Sequence, residues 1–173
     1  MRIALTGLAA AAVLTLAIAP LRADPERVVF PSGYQDSFVN YLDVDRIDRK
    51  RVRKMYVNRA AHDAAGAGRD LPDGTILIME DHNAKKNADD TLMTDADGRL
   101  IAEDAVANIF VMEKNATWST DNGHWDYAWY GPDGKPSTSK WAKTMNGCFA
   151  CHANRSERDF NFTFSKFLAD KAK

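Results

Sequence analysis

The chain contains only two cysteines, and both lie in the segment Cys148-Phe149-Ala150-Cys151-His152. The pattern Cys-x-x-Cys-His is the attachment signal of c-type haem. Each thiol can add to one vinyl group of the haem, and the adjacent imidazole can then bind the iron from one side. The sequence therefore predicts one covalently attached haem c, held by Cys148 and Cys151, with His152 as the iron ligand.

Other uses of a cysteine pair fit the chain less well. A zinc site needs about four ligands, and the sequence has no second cysteine pair to complete one. A thioredoxin-like motif normally lies beside a βαβ unit near the N-terminus of its domain, whereas this pair lies near the C-terminus. A disulfide between Cys148 and Cys151 would close a very short loop and stabilise the fold little. The disulfide stays open as the main alternative to haem attachment.

The N-terminal segment has the features of a secretory signal. Arg2 precedes an apolar run at residues 9–19, and a small residue, Ala23, stands before Asp24. A positive start, an apolar stretch and a small residue at the cut are typical of a cleaved signal peptide. We therefore predict a signal peptide at residues 1–23 and one exported domain at residues 24–173, located in a bacterial periplasm. An uncleaved anchor is the alternative, although the run is shorter than the ~20 apolar residues that span a bilayer.

Charge and composition exclude several classes of partner. The chain has 173 residues, 23 lysines plus arginines and 24 aspartates plus glutamates, which gives a net charge of -1. This balance does not favour a nucleic-acid binder or an acidic disordered tail. No apolar run after the signal is long enough to span a membrane. We expect no nucleic-acid partner, and no membrane contact once the signal is removed.

The elements that must position the cysteine motif are mostly strands. Glycine-containing turns separate short apolar or aromatic runs, as they do in antiparallel sheets. The predicted strands are residues 52–57, 75–81, 99–101, 109–114, 124–130 and 160–164. The predicted helices are residues 34–42, 59–67 and 166–173, with a helical turn at 141–146. The predicted fold class is therefore α+β and β-rich, with a small antiparallel sheet and a few packed helices around one haem.

Several segments in addition to the cysteine motif resemble the cytochrome P-460 family of exported monohaem proteins. They follow in the same order over residues 28–168: Phe30-Pro31-Ser32-Gly33-Tyr34, residues 52–58, Leu71-Pro72-Asp73-Gly74-Thr75 with residues 76–80, residues 110–114, Trp125-Asp126-Tyr127-Ala128, residues 148–152, and Arg158-Asp159-Phe160 with Phe162-Thr163. The resemblance implies a small antiparallel sheet with packed helices, a five-coordinate haem and a homodimer. It also implies one of two functions. Some members oxidise hydroxylamine with a lysine bonded to the haem ring, and others lack that bond and bind nitric oxide or other diatomic gases.

The position of the cross-linking lysine separates these two functions. The family pattern places this lysine four positions after Asp73-Gly74-Thr75 and before a glutamate, which is Met79 before Glu80 in this chain. A thioether cannot form the lysine-type bond, so we expect Met79 to contact the haem edge instead. Lys85 and Lys86 are the nearest alternatives, in a polar loop.

The sequence thus predicts a periplasmic monohaem cytochrome that binds a small diatomic ligand, nitric oxide foremost, at a five-coordinate iron. A hydroxylamine-oxidising enzyme and a plain electron-transfer cytochrome are the alternatives, so whether the protein is an enzyme stays open. We expect a homodimer, and a redox partner protein is a possible further contact. His62, His82 and His124 stand in polar segments, and we expect them at the surface rather than on the iron.

Overall fold

A five-stranded antiparallel sheet forms the centre of the computed structural model, which describes residues 27–139 and 146–173. Each strand pairs with the next one along the chain, in the order β1-β2-β3-β4-β5. The strands are β1 (Phe38–Arg46), β2 (Arg51–Asn58), β3 (Ile76–Ala84), β4 (Ala102–Lys114) and β5 (Trp125–Tyr130). This architecture confirms the predicted α+β class with a small antiparallel sheet.

Short helices surround the sheet. The α-helices are α1 (Tyr34–Ser37), α2 (Arg59–Ala64), α3 (Asn146–His152) and α4 (Phe164–Lys171). Single 3-10 segments lie at Ile47–Arg49, Thr120–Asn122 and Ala153–Arg158. None of the helices in the described part of the chain is long and apolar enough to cross a membrane.

Alternate residues of each strand point to opposite sides of the sheet, and other parts of the chain pack against both sides. We call the side that packs against α2, α3 and α4 the α3 face. Its buried strand residues are Tyr41, Met55, Val57, Leu77, Met112, Trp125 and Tyr127. The opposite face packs against the N-terminal segment, and its buried strand residues are Tyr56, Ile78, Ile109, Val111, Ala128 and Tyr130. The sheet is therefore the middle layer of the domain, and α3 lies on one side of it.

The turn before β3 forms as its sequence predicts. The backbone N–H of Thr75 donates to the carbonyl of Pro72 over 3.2 Å, and Gly74 adopts φ 76°, which L side chains rarely tolerate. A carboxylate oxygen of Asp73 accepts from the backbone N–H of Ala116 over 2.6 Å. This contact ties the turn to the end of β4 and fixes where β3 begins.

Three local predictions were wrong. The helix predicted at 34–42 ends at Ser37, because Phe38 onward pairs with β2 as an edge strand. No strand forms at 160–164, since Asp159 and Phe160 take positive φ and Phe164 begins α4. Residues 99–101 make only an isolated bridge, and β4 runs unbroken from Ala102 to Lys114. The signal peptide predicted at 1–23 and nearly all of the turn predicted at 141–146 lie outside the described residues.

Candidate functional site

Helix α3 carries the cysteine motif. Cys148, Cys151 and His152 stand at positions i, i+3 and i+4 of this helix, which are neighbours on one helical face. The two cysteines are free thiols rather than a disulfide; Cys148 is half-buried and Cys151 is exposed. The helix therefore presents two thiols and one imidazole together toward the same region.

Burial keeps the thiol of Cys148 protonated. Removal from water, with a smaller contribution from the charges of Cys151 and Asp126, raises the pKa of Cys148 to about 12. Disulfide exchange and oxidation proceed through the thiolate, which is scarce at neutral pH for such a group. This environment favours a reduced cysteine over the disulfide alternative.

A backbone carbonyl sets the tautomer of His152. The Nδ1 atom of His152 lies 2.6 Å from the carbonyl oxygen of Phe160, and because a carbonyl can only accept, Nδ1 carries the hydrogen. Burial lowers the pKa of His152, although the same hydrogen bond partly opposes the shift, so the ring is neutral at pH 7. A neutral imidazole whose Nδ1–H is engaged offers its Nε2 lone pair to a metal.

Aromatic side chains fix the plane of this imidazole. The ring centroid of Tyr127 lies 4.8 Å from that of His152, and Phe162 meets the imidazole edge-on at 4.9 Å. The guanidinium of Arg155 lies over the Phe162 ring, 5.1 Å from its centroid. The orientation of His152 is thus restrained by a hydrogen bond and by two ring contacts.

The chain-wide comparisons identify the family. The sequence model of the family described as Cytochrome P460 matches residues 31–163. The chain belongs to the cytochrome P460 family. No curated protein matches it. The matched range spans all five strands, α3 and the Phe160 carbonyl, and membership implies a haem cofactor.

The residues around α3 fit the haem that the cytochrome P460 family uses. Tyr127 is only 5% exposed, and its buried hydroxyl has no hydrogen-bond partner among the described residues. An unpaired buried hydroxyl costs about 1–3 kcal/mol, so such a site suits a bound group that can accept from it. Haem is a large apolar ring with two carboxylates and an iron that binds imidazole, which matches this mixture of apolar wall, hydroxyl and free Nε2.

Met79 lies in an apolar row that crosses the whole sheet. Cross-strand pairing on the α3 face joins one residue of every strand, in the order Leu42, Met55, Met79, Phe110 and Trp129. The rings of Phe110 and Trp129 have centroids 4.9 Å apart. Met79 also packs against the buried cluster that contacts Cys148 and Phe149. The structure thus places Met79 on the same side of the sheet as the cysteine motif.

The lysines nearest to Met79 in sequence point to the surface. The ammonium of Lys85 lies 3.8 Å from a carboxylate oxygen of Asp104, and that of Lys86 lies 2.6 Å from Asp90. Both lysine side chains are 40% exposed. These contacts hold the two side chains in the loop after β3.

Lys114 is a buried lysine on the α3 face that the sequence interpretation missed. Its Nζ atom donates to both carboxylate oxygens of Asp159, over 2.8 and 2.7 Å. Strand alternation could have placed Lys114 on this face, two residues after Met112. Nothing local in the sequence indicated its partner, which lies 45 residues away.

The expectation for His82 was wrong. This histidine is only 2% exposed and lies on the opposite face of the sheet, where its Nε2 is 3.0 Å from a carboxylate oxygen of Glu80. Its Nδ1 is 2.8 Å from the carbonyl oxygen of Glu103. The neighbouring Asp81 and Asn83 suggested a solvated segment, but strand pairing buries the side chain of His82.

The other two histidines named from the sequence are half-buried. His62 lies beside Asp63, and Nδ1 of His124 bonds the carbonyl of Trp118.

Proposed function

We propose that the protein is an exported monohaem c-type cytochrome that binds a small diatomic ligand, nitric oxide foremost, at an open iron position. Cys148 and Cys151 would each form a thioether, since addition of S–H across a vinyl double bond needs no oxidant. His152 would bind the iron through Nε2. When bound, the haem would supply a ferrous iron that can take a diatomic ligand.

The apolar row that contains Met79 carries this proposal. The family resemblance requires a lysine at position 79 for the ring cross-link, and a thioether side chain has no nucleophilic nitrogen. The side chains of this row are aliphatic, thioether or aromatic, and its one polar side-chain group, the indole N–H of Trp129, donates to Asn108 over 3.0 Å. An apolar wall excludes water and charge, which favours the capture of an uncharged gas.

Lys114, on the α3 face, is poorly placed to form the cross-link in place of a lysine at position 79. Lys114 donates to both carboxylate oxygens of Asp159, so its nitrogen is held in that buried ion pair. The two surface lysines after β3 are paired with Asp104 and Asp90. These contacts support a haem held by two thioethers and His152 alone.

Two glutamates of β4 that could serve a hydroxylamine-oxidising enzyme lie outside the Met79 row, and Asp81, two residues after Met79 on the same side of the sheet, is ion-paired with Arg53 over 3.1 Å. Glu113 belongs to the alternate set of β4 residues that faces away from α3, because Met112 faces α3. Glu103 bonds the amide of Asn83 in an exposed contact. Neither side chain stands in the Met79 row, which supports ligand binding over proton-coupled oxidation.

Haem-peptide mass spectrometry combined with turnover tests this proposal. After digestion of the holoprotein, we expect one haem-bearing peptide, which contains both cysteines and no lysine-to-haem bond. With hydroxylamine and an artificial electron acceptor, we expect only weak turnover. A second peptide bonded to haem through Lys85, Lys86 or Lys114, together with steady hydroxylamine oxidation, would establish the enzyme instead.

Export and self-association complete the proposal. N-terminal sequencing of protein from a bacterial host should begin at Asp24, and cell fractionation should find it in the periplasm. Sedimentation of the holoprotein should give the mass of a dimer. Retention of residues 1–23 in the membrane fraction would support an uncleaved anchor.

A further inference from the structure

The segment that supplies the carbonyl partner of His152 has an unusual backbone. Asp159 and Phe160 both adopt left-handed conformations, with φ 51° and 59°. For residues other than glycine this conformation costs about 1–2 kcal/mol each, and two in succession require support from elsewhere in the fold. Aspartate tolerates it better than phenylalanine, so the strain falls mainly on Phe160.

The carboxylate of Asp159 provides that support. It is buried and accepts the backbone N–H of Leu71 over 2.8 Å and the indole N–H of Trp125 over 3.3 Å. It also accepts both contacts from Lys114. These donors come from the loop before β3, the end of β4 and the start of β5. One side chain therefore ties the residue next to Phe160 to a loop and to two strands of the sheet.

We propose that the Asp159–Lys114 pair is the positioning device for the iron ligand: it holds the Phe160 carbonyl where it accepts from Nδ1 of His152. This inference rests on the proposed function, because it takes His152 to be the iron ligand. A strong acceptor at Nδ1–H makes the imidazole a more basic ligand, and partners of this kind tune metal affinity and redox potential. Asp159 touches neither His152 nor the reacting atoms in this arrangement, so it acts through the backbone alone.

The test must separate positioning from folding. Removal of Asp159 alone would leave Lys114 as an uncompensated buried charge, which is strongly destabilising. The double variant Asp159→Ala/Lys114→Met removes both charges and leaves the net charge unchanged. Asp45→Ala/Arg99→Met is the matched control. Asp45 likewise forms an ion pair, with Arg99, and accepts a backbone N–H, from Leu100.

Two readouts on the holoprotein report the iron–imidazole bond. In the double variant we expect the ferrous iron–histidine stretching frequency to fall, since the Nδ1–H acceptor is displaced. Loss of such partners weakens metal ligation by about 10–100-fold. At the low end of this range, a tenfold weaker preference of the site for ferric over ferrous iron raises the reduction potential by about 59 mV. The control variant should leave both values unchanged.

The inference is overturned if the double variant folds, retains haem and matches the control in both readouts. If the double variant does not fold, Asp159→Glu tests the inference instead, because glutamate keeps Lys114 paired while its longer side chain moves the carboxylate by one methylene. A smaller shift in the same direction supports positioning, and no shift contradicts it. Failure of the proposed function is distinguishable: the unmodified protein would then lack covalent haem in a pyridine haemochrome assay, whatever the variants do.

Discussion

Replacement of Glu80 by glutamine should destabilise the fold through the face of the sheet that lies away from α3. Glu80 is fully buried, and its carboxylate accepts from four side chains: Tyr34, Gln35, Tyr56 and His82. Both ring nitrogens of His82 face acceptors, so the imidazole is held as a cation. The hydrogen bond that His82 donates to Glu80 is the main reason that the pKa of His82 is raised.

The pKa of Glu80 gives the magnitude. Burial by itself would raise this pKa, but hydrogen bonds from His82, Tyr34 and Gln35 outweigh it and lower the pKa from 4.5 to about 2. At about 1.4 kcal/mol per pKa unit, the ionised carboxylate contributes about 3 kcal/mol to the free energy of unfolding. With a urea m-value of about 1–3 kcal/mol/M, its loss lowers the unfolding midpoint by about 1–3 M.

The pH dependence has a defined sign. The lowered pKa of Glu80 means that its contribution is complete above about pH 4.5 and is lost as the pH falls towards 2. The raised pKa of His82 means that its contribution is complete below about 6.5 and is lost as the pH rises through its folded value. The cluster is therefore most stabilising between these limits, and the effect of Glu80→Gln should be largest there.

Urea unfolding of the holoprotein at pH 5.5, followed by circular dichroism, measures this effect. Glu113→Gln is the matched control on the neighbouring strand β4. Burial and the charge of Asp73 raise the pKa of Glu113, so its ionised form is disfavoured and a neutral glutamine should leave the midpoint unchanged or raise it. The reasoning is refuted if Glu80→Gln lowers the midpoint no further than Glu113→Gln does.

Three further predictions concern the haem site. Cys148→Ala or Cys151→Ala should sharply reduce the haem content measured by pyridine haemochrome, because each removes one thioether; a well-folded double variant that never contained haem would contradict the account. The ferrous protein should be high-spin; a low-spin ferrous spectrum, together with a methionine–iron charge-transfer band in the ferric form, would favour the electron-carrier alternative. Met79→Lys restores the family's lysine position, so after treatment with a two-electron oxidant such as hydrogen peroxide the haem peptides of this variant should include one bonded through position 79, and hydroxylamine turnover should rise; an unmodified haem after that treatment would show that Met79 does not stand at the ring.

Local sequence patterns were sufficient for the features that depend on nearby residues. The Cys148–His152 spacing carries its own chemistry, and the turn at residues 71–74 fixes where β3 starts and hence which way Met79 points. The aromatic run at residues 124–130, which follows the turn at residues 121–123, likewise predicted β5. Each of these signals spans fewer than ten residues.

Features that depend on distant partners could not be predicted in this way. Lys114 is buried only because Asp159 lies beside it, and Asp159 bonds the backbone of Leu71, which is 88 residues away in the chain. His82 is buried because Glu80 and the backbone of Glu103 accept from it, although its immediate neighbours are polar. The alternation of Phe160, Phe162 and Phe164 suggested a strand, but it reflects a left-handed turn that leads into α4.

Optical titration of the purified ferrous protein with nitric oxide tests the central claim most directly. We expect a high-spin, five-coordinate spectrum before addition and a stoichiometric shift to a nitrosyl species, with carbon monoxide also binding readily. These results follow from His152 on one side of the iron and an apolar, uncharged wall that contains Met79. A low-spin, six-coordinate spectrum that neither gas alters would contradict the claim that the iron has an open position.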